Sequence, residues 1–368
     1  RKGLLSQLNT DELEALPVVR LAALLHDVGH YAFSHAMEEL EADAIPGHHE
    51  EAAARFLESP AISAALGGSG DGARQLVMDL IRGRSSHPLQ GLVSGSLDLD
   101  KIDYLRRDSL FCGVPYGAVD VERLLESLTL AREREGAPLE VAVTEKGLSA
   151  LESLLFAKYQ MFRNVYWHHA VRSATVAFRH LVEGSLNEGL LVREDLAGPT
   201  DEELLGLIAA RMRDVPFSPV LGRLLSSLVN RNLPKRVVEL QGDELPVGMA
   251  EWVPESRELV RRVEDRLARD WGLETGSVFL DYPANPNMLQ LRLLLVRRRG
   301  EVQRLTSEGE EHLIDLPRLG RSLHQATRAL RVFCLEPRSL PDVTPLLDLL
   351  SSPAEEARMR LDEDRSIL

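Results

Sequence analysis

Apolar residues recur along most of the chain at helical rather than alternating spacing, and the elements follow from where that recurrence stops. Residues 11–40 read as two helices. Thr10-Asp11 offers an N-cap, and VVRLAALLHD at 18–27 is apolar on nearly every side, as a buried helix is. AIPG at 44–47 is a break, and an amphipathic helix starts at His48. The GGSGDG loop at 67–72 leads into a helix over about 73–83. Residues 98–108 predict a helix with acidic residues along one side, 120–131 another helix, and EVAVT at 140–144 a short strand. The longest helical stretch runs from Leu148 to Gly184, with no Pro or Gly inside it. A second helical region covers about 201–270, interrupted at Pro216, Pro219, Pro234 and Pro246, with a strand at 237–240. The pattern then changes. SVFLDYP at 277–283, LQLRLLLV at 289–296 and RVFCL at 331–335 predict strands of a small α+β appendage. The charged tail after Pro353 reads as a surface helix or a frayed end.

Composition agrees with a mostly helical soluble protein: of 368 residues 44% are hydrophobic and only 5% aromatic. No apolar run approaches the ~20 residues that span a bilayer. Cys112 and Cys334 are far apart and lack metal-ligand spacing, which suits packing residues in a reducing cytosol and predicts a cytoplasmic protein. A net charge of -14 argues against broad binding to nucleic acid or anionic membrane. An anionic small substrate stays open, provided a metal and a few Lys or Arg gather positive charge locally. The chain opens at Arg1 without Met, which reads as the loss of a natural N-terminal segment.

The chemistry is concentrated near the first helices. His26 and Asp27 stand side by side at the end of an apolar run, and a carboxylate buried there needs a cation to meet it. A metal ion does so most simply, making the pair the floor of a metallohydrolase site. Five of the eleven histidines, His26, His30, His35, His48 and His49, fall within residues 26–49. On a helix His26 and His30 share a face, and His35 follows beside Glu38. Such a cluster is hard to satisfy without a shared ligand, whereas His87, His312 and His324 read as ordinary isolated histidines. In SLDLDKIDYLRRD at 96–108, Asp100, Tyr104 and Asp108 form one helical stripe flanked by Lys101. The stripe is either a solvated acidic face or the place where one aspartate completes a metal site while Lys and Tyr meet a polyanion.

Four ordered blocks resemble the HD-domain phosphohydrolases, and within them the deoxynucleoside triphosphate triphosphohydrolase branch. They are LLHDVGHYAFSHAME at 24–38, HE at 49–50, SLDLDKIDYLRRD at 96–108 and AKYQMFRNVYWHH at 157–169. The resemblance covers roughly residues 20–185. It implies a mainly α fold, an HD-domain helical bundle with a small C-terminal α+β appendage. The expected segments are a metal-dependent core at 1–190, truncated at its N-terminus, a helical extension at 191–270, the α+β region at 271–340 and a charged tail at 341–368. It implies His26, Asp27 and Asp100 as ligands of a divalent metal ion, whether Mn, Fe, Co, Ni or Zn, with Mg possible at the phosphates. His30, His35, Glu38 and His49 would line the phosphate and supply general acid and base. Lys101, Tyr104, Asp108, Lys158 and Tyr166 would hold the triphosphate and sugar, Tyr166 lying near the deoxyribose.

The implied reaction cleaves a dNTP to deoxynucleoside and tripolyphosphate. Two alternatives stand beside it: an HD-type nucleotide 5′-monophosphatase or phosphodiesterase, and a nucleotide-binding regulatory module with an incomplete metal site. The family's metal site begins with a further histidine before the HD pair, and the 25 residues preceding His26 contain none. Phe162 and Trp167 stand where some relatives carry polar nucleotide contacts. An allosteric nucleotide and a homo-oligomer are the partners that the resemblance implies. The C-terminal half carries no catalytic motif and reads as scaffold, subunit interface or allosteric surface.

Overall fold

The computed structural model describes residues 2–41, 44–68, 72–242, 244–246, 248–283, 289, 291–305, 316–336, 342–363 and 366–367. The helices that position its polar clusters are α1 (Leu16–Leu25), α2 (His35–Glu38), α3 (His49–Leu57), α4 (Ala73–Ile81), α5 (Leu99–Cys112), α6 (Val121–Ser127), α7 (Leu148–Met161), α8 (His169–Asn187) and α9 (Arg257–Asp270). The strands are β1 (Leu128–Ala131), β2 (Glu140–Thr144), β3 (Lys235–Gln241), β4 (Val278–Asp281), β5 (Leu294–Val296), β6 (Val302–Arg304) and β7 (Ala329–Cys334). The fold is mainly α with a C-terminal α+β part. Among the described residues no helix is long and apolar enough to cross a membrane. The chain gathers into two compact units: residues 1–30, 47–162 and 286–324, and residues 31–46, 163–285 and 325–368.

In the first unit α1 buries Val18, Val19 and Ala22, and these join Val77, Leu80 and Ile81 of α4 and Ala53 and Leu57 of α3 in one core. Only one side of α1 is buried, not nearly every side as its sequence suggested: Leu24 is 77% exposed. A four-stranded sheet runs in the order β1-β2-β5-β6, with β2 and β5 parallel and the outer pairs antiparallel. The helix expected over 120–131 is divided. Asp120 caps α6 by accepting from the Arg123 amide, and after Ser127 the chain extends so that Leu128–Ala131 pairs with β2. A cross-strand ladder here outweighs the local helical spacing.

In the second unit a three-stranded antiparallel sheet runs β3-β7-β4, all six residues of β7 being buried. Leu259, Val260, Val263 and Leu267 of α9 share a core with this sheet. The long helix expected over 148–184 is broken in two. A π-helical turn at Phe162–Tyr166 ends α7, and α8 restarts behind His168, whose Nδ1 accepts the Ala170 amide. The break therefore needs neither Pro nor Gly, because a capping side chain supplies the new start.

An ion network ties α8 to the sheet. Arg172 is 3% exposed and forks onto Asp281, Nε to Oδ2 at 3.0 Å and Nη2 to Oδ1 at 2.5 Å. Its Nη1 and Nη2 also reach Glu39 at 2.5 and 2.9 Å, and Arg179 adds a longer contact to Glu39 at 3.4 Å. Burial alone would push the Glu39 carboxyl up, but Arg172 outweighs it and holds the group below the ordinary glutamate value.

Arg172→Met leaves two carboxylates without their partner, so a loss of about 3–5 kcal/mol is expected at pH 7. Because the Glu39 pKa is lowered in the folded protein, its contribution is present above about 4.5 and lost as pH falls through the depressed value. Urea unfolding should thus show the gap between wild type and variant narrowing in acid; an equal gap at pH 7 and in acid would contradict this account.

Candidate metal centre

Within the first unit, α1 stops at Leu25 and the chain turns. The Val28 amide donates to the Leu25 carbonyl at 3.1 Å, and that of His30 to the Asp27 carbonyl at 3.0 Å. His26 and His30 are therefore not neighbours on a helix face, as their spacing suggested. The turn places both against one carboxylate oxygen: Asp27 Oδ1 is 3.1 Å from His26 Nε2 and 3.2 Å from His30 Nε2. His26 Nδ1 lies 3.0 Å from the Ala23 carbonyl. A carbonyl only accepts, so that nitrogen carries hydrogen and Nε2 is the one directed at the acids.

Two further elements close on this turn. His49 opens α3, and its ring stacks on His30 with centroids 4.0 Å apart and planes 14° apart. The approach depends on Gly29. A Cβ there would stand 2.1 Å from the His49 carbonyl oxygen and 2.5 Å from the Ala53 nitrogen. Asp98 caps α5 by accepting from the Lys101 amide at 3.0 Å, which sets Asp100 in the first turn. Asp100 Oδ2 then lies 3.8 Å from His26 Nε2. Two triplets result, His26/Asp27/Asp100 and Asp27/His30/His49, in each of which the donor atoms lie within 4.8 Å of one another.

The carboxylates are not buried, contrary to the expectation that first drew attention to Asp27. Its side chain is 55% exposed and that of Asp100 40%. What calls for a cation is convergence instead. The Asp100 carboxylate above all, then Asp27, holds the His26 imidazole up to about 9 against the effect of burial. The hydrogen bond from His30 in turn draws Asp27 below its ordinary value. A proton thus stands on His26 where the acids meet. Imidazole nitrogen with carboxylate oxygen is a donor set that fits a divalent ion of the Mn-to-Zn series.

A cationic and phenolic wall lies in the same unit. Lys101 Nζ pairs with Asp98 and donates to the Gly95 carbonyl at 3.0 Å. Lys158 on α7 is 9% exposed, with the Phe162 ring 5.9 Å from its Nζ. Burial first, and the charge of Lys101 second, bring its ammonium down to about 8. Burial also raises the Tyr104 hydroxyl above its ordinary value, reinforced by Asp98, Asp100 and Asp108. The stripe of Asp100, Tyr104 and Asp108 on α5 is half-buried.

The remaining expected site residues belong to the second unit. His35 Nδ1 and Glu38 Oε2 are 3.0 Å apart on α2, with the imidazole 84% exposed. Tyr166 ends the π-helical turn. The sequence held no sign of what precedes α2. Phe33 and Ser34 take φ of 57° and 42°, and the Phe33 amide donates to Asp201 at 2.7 Å. Non-glycine residues in that region store strain, which clusters at functional sites. Of the histidines set aside, His87 is a satisfied core residue, held by the Glu12 carbonyl and the Leu89 amide. His312 lies outside the described residues.

Comparison with known proteins places these elements in a wider setting. Residues 3–107 match the HD domain family and residues 119–319 the HD associated region. The uncharacterized protein MJ1154 of Methanocaldococcus jannaschii is 28% identical over 296 residues, 78% of this chain and 58% of that protein. A deoxynucleoside triphosphate triphosphohydrolase SAMHD1 homolog of Dictyostelium discoideum is 26% identical over 241 residues, 60% of this chain and 44% of that one. The chain thus spans about half the length of these two relatives. A crystal structure of a phosphohydrolase from Bacteroides thetaiotaomicron superposes with a TM-score of 0.59 at 21% identity, over 90% of this chain and 83% of its own.

Gly29→Ala is expected to cost roughly 1–3 kcal/mol through overpacking and to lower the bound Mn or Co per chain, since the clash with α3 is relieved only by shifting that helix or the 26–30 turn that carries His26 and Asp27. Thermal melting followed by metal analysis after dialysis checks both. Wild-type melting together with wild-type metal content would show that the close approach is dispensable.

Proposed function

The chain belongs to the HD-domain phosphohydrolase superfamily, an HD domain followed by an HD-associated region, and from that membership we propose that it hydrolyses deoxynucleoside triphosphates to deoxynucleoside and tripolyphosphate. One observation carries the reading. The His26/Asp27/Asp100 triplet, Lys101 and Lys158 occur in the same compact unit, Asp100 and Lys101 being neighbours in the first turn of α5 and Lys158 lying on α7 with its ammonium opposed by the charge of Lys101. A metal site for a phosphoryl group and a buried cation for a polyphosphate are what this substrate class requires. The four sequence blocks and the Dictyostelium relative support the same substrate.

In this reading His26, Asp27 and Asp100 hold a divalent cation. When bound, such an ion supplies Lewis-acid polarisation of the α-phosphate and makes water more acidic. The rest is done by the chain's own side chains. Asp27 Oδ1, 3.2 Å from His30 Nε2, orients that imidazole as the group that moves a proton, while His49 stacks on it and fixes its plane. Lys158, desolvated and opposed by Lys101, gains most when anionic oxygen arrives. Its interaction strengthens as charge develops on the leaving tripolyphosphate. Tyr104 keeps its proton throughout the neutral range and so remains a hydrogen-bond donor for the sugar, with Asp108 one turn further along as acceptor.

The reading is tested on the chain with added Mn and dATP, ATP or dAMP, separating products by chromatography. Deoxyadenosine with intact tripolyphosphate is expected from dATP, and nothing from dAMP. Orthophosphate from dAMP would replace the proposal by a 5′-monophosphatase. Asp27→Ala should abolish turnover with helix content unchanged; persisting dATP hydrolysis rules the metal site out. Lys158→Met should lower kcat/KM by roughly 10²-fold or more, as loss of a charge-stabilising donor does.

A further inference from the structure

Asp98 is 8% exposed and gives both its oxygens to one residue: Oδ1 accepts the Lys101 amide at 3.0 Å and Oδ2 pairs with Lys101 Nζ. The Gly95 carbonyl takes a further proton of that ammonium at 3.0 Å. Nothing comparable serves Lys158, 9% exposed on α7. An ammonium has three donors and no acceptor. Among the described residues no hydrogen bond or ion pair reaches Lys158 Nζ, and the Phe162 ring at 5.9 Å lies at the outer limit of a cation–ring contact. Lys101, itself a cation, acts on it more strongly than Asp98 does. The Nζ is not one of the buried atoms that packing seals off without a partner, so it stays within reach of solvent.

A desolvated ammonium opposed by a second cation is relieved by an anion, and most by one that carries several charges along a short chain. In the proposed hydrolysis the triphosphate is that anion, and the reaction raises the attraction. Water adds to the α-phosphorus and the P–O5′ bond breaks. The 5′ oxygen leaves as a hydroxyl with one of the water's protons, and the water's oxygen stays on the tripolyphosphate as a new acidic P–OH. Once that group ionises, the tripolyphosphate carries more negative charge than it did as an ester. The deoxynucleoside leaves neutral and loses its hold.

We propose that Lys101 and Lys158 bind free inorganic tripolyphosphate, which therefore leaves after the deoxynucleoside and competes with incoming dNTP. The proposal rests on the phosphohydrolase reading for the identity of this product, and it makes the chain subject to inhibition by what it releases.

Titration calorimetry of the full chain with sodium tripolyphosphate or orthophosphate, without added metal, reads the binding directly. Tripolyphosphate should bind at one per chain, and orthophosphate, with fewer charges to offer, roughly tenfold or more weaker. Lys158→Met should weaken tripolyphosphate roughly tenfold or more, as loss of a charged hydrogen-bond partner does. The same variant should melt no lower than wild type, since it removes a buried charge that has no partner. Lys158→Gln takes its place should it fail to fold. In turnover with Mn in excess over total phosphate, tripolyphosphate should inhibit competitively against dATP and deoxyadenosine noncompetitively. No binding of tripolyphosphate, undiminished binding in the Lys158 variant, or an exchange of the two inhibition patterns would each overturn the proposal. Absence of dATP turnover has a different meaning: it removes the substrate reading, and tripolyphosphate binding through Lys158 then stands or falls on the titration alone.

Discussion

A single oxygen, Asp27 Oδ1, holds two imidazoles within 3.2 Å, and the polar cluster of the first unit is arranged around the charge this implies. Two acids at one imidazole cannot both stay ionised at low cost without something positive between them. With the protein alone that positive charge is a proton on His26, which is why the imidazole is held so far above its ordinary value. The same geometry suits a divalent ion, whose binding displaces that proton. Backbone makes it possible: a turn in place of a continued helix, and a glycine where any side chain would collide with α3.

The second unit uses the same kinds of groups to the opposite end. Arg172 lies between Asp281 and Glu39 with nearly every donor used and almost no exposure. A buried network satisfied in this way specifies packing and does little chemistry, since removing any member leaves a stranded charge. The candidate centre is half exposed, and its donors converge on shared space rather than closing on each other. Satisfaction, more than burial, separates the structural network from the reactive one.

Membership of the HD-domain phosphohydrolases is carried by the HD domain at residues 3–107 and the HD associated region at 119–319. The structural likeness at 21% identity speaks to the fold. The side chains add local detail of this chain: Lys158 desolvated beside Phe162, Tyr104 kept as a phenol, and a strained Phe33-Ser34 turn held by Asp201.

The sequence by itself determined the local grammar. The helix after a capping Asp98, the strand at 140–144, the mainly helical class and the motif blocks carrying His26, Asp27, Asp100, Lys101, Tyr104 and Lys158 all depend on residues within a turn or two of each other. Such neighbours leave a periodic or motif signature. Only the tertiary structure decided that α1 ends at Leu25, that Leu128–Ala131 leaves its helix for a strand, and that the expected C-terminal strands divide between two sheets. It also decided the pairing of Arg172 with partners 109 and 133 residues away, and the stacking of His49 on His30. Each of these is settled by a partner distant along the chain, whose contact energy exceeds the small local preferences that a sequence displays.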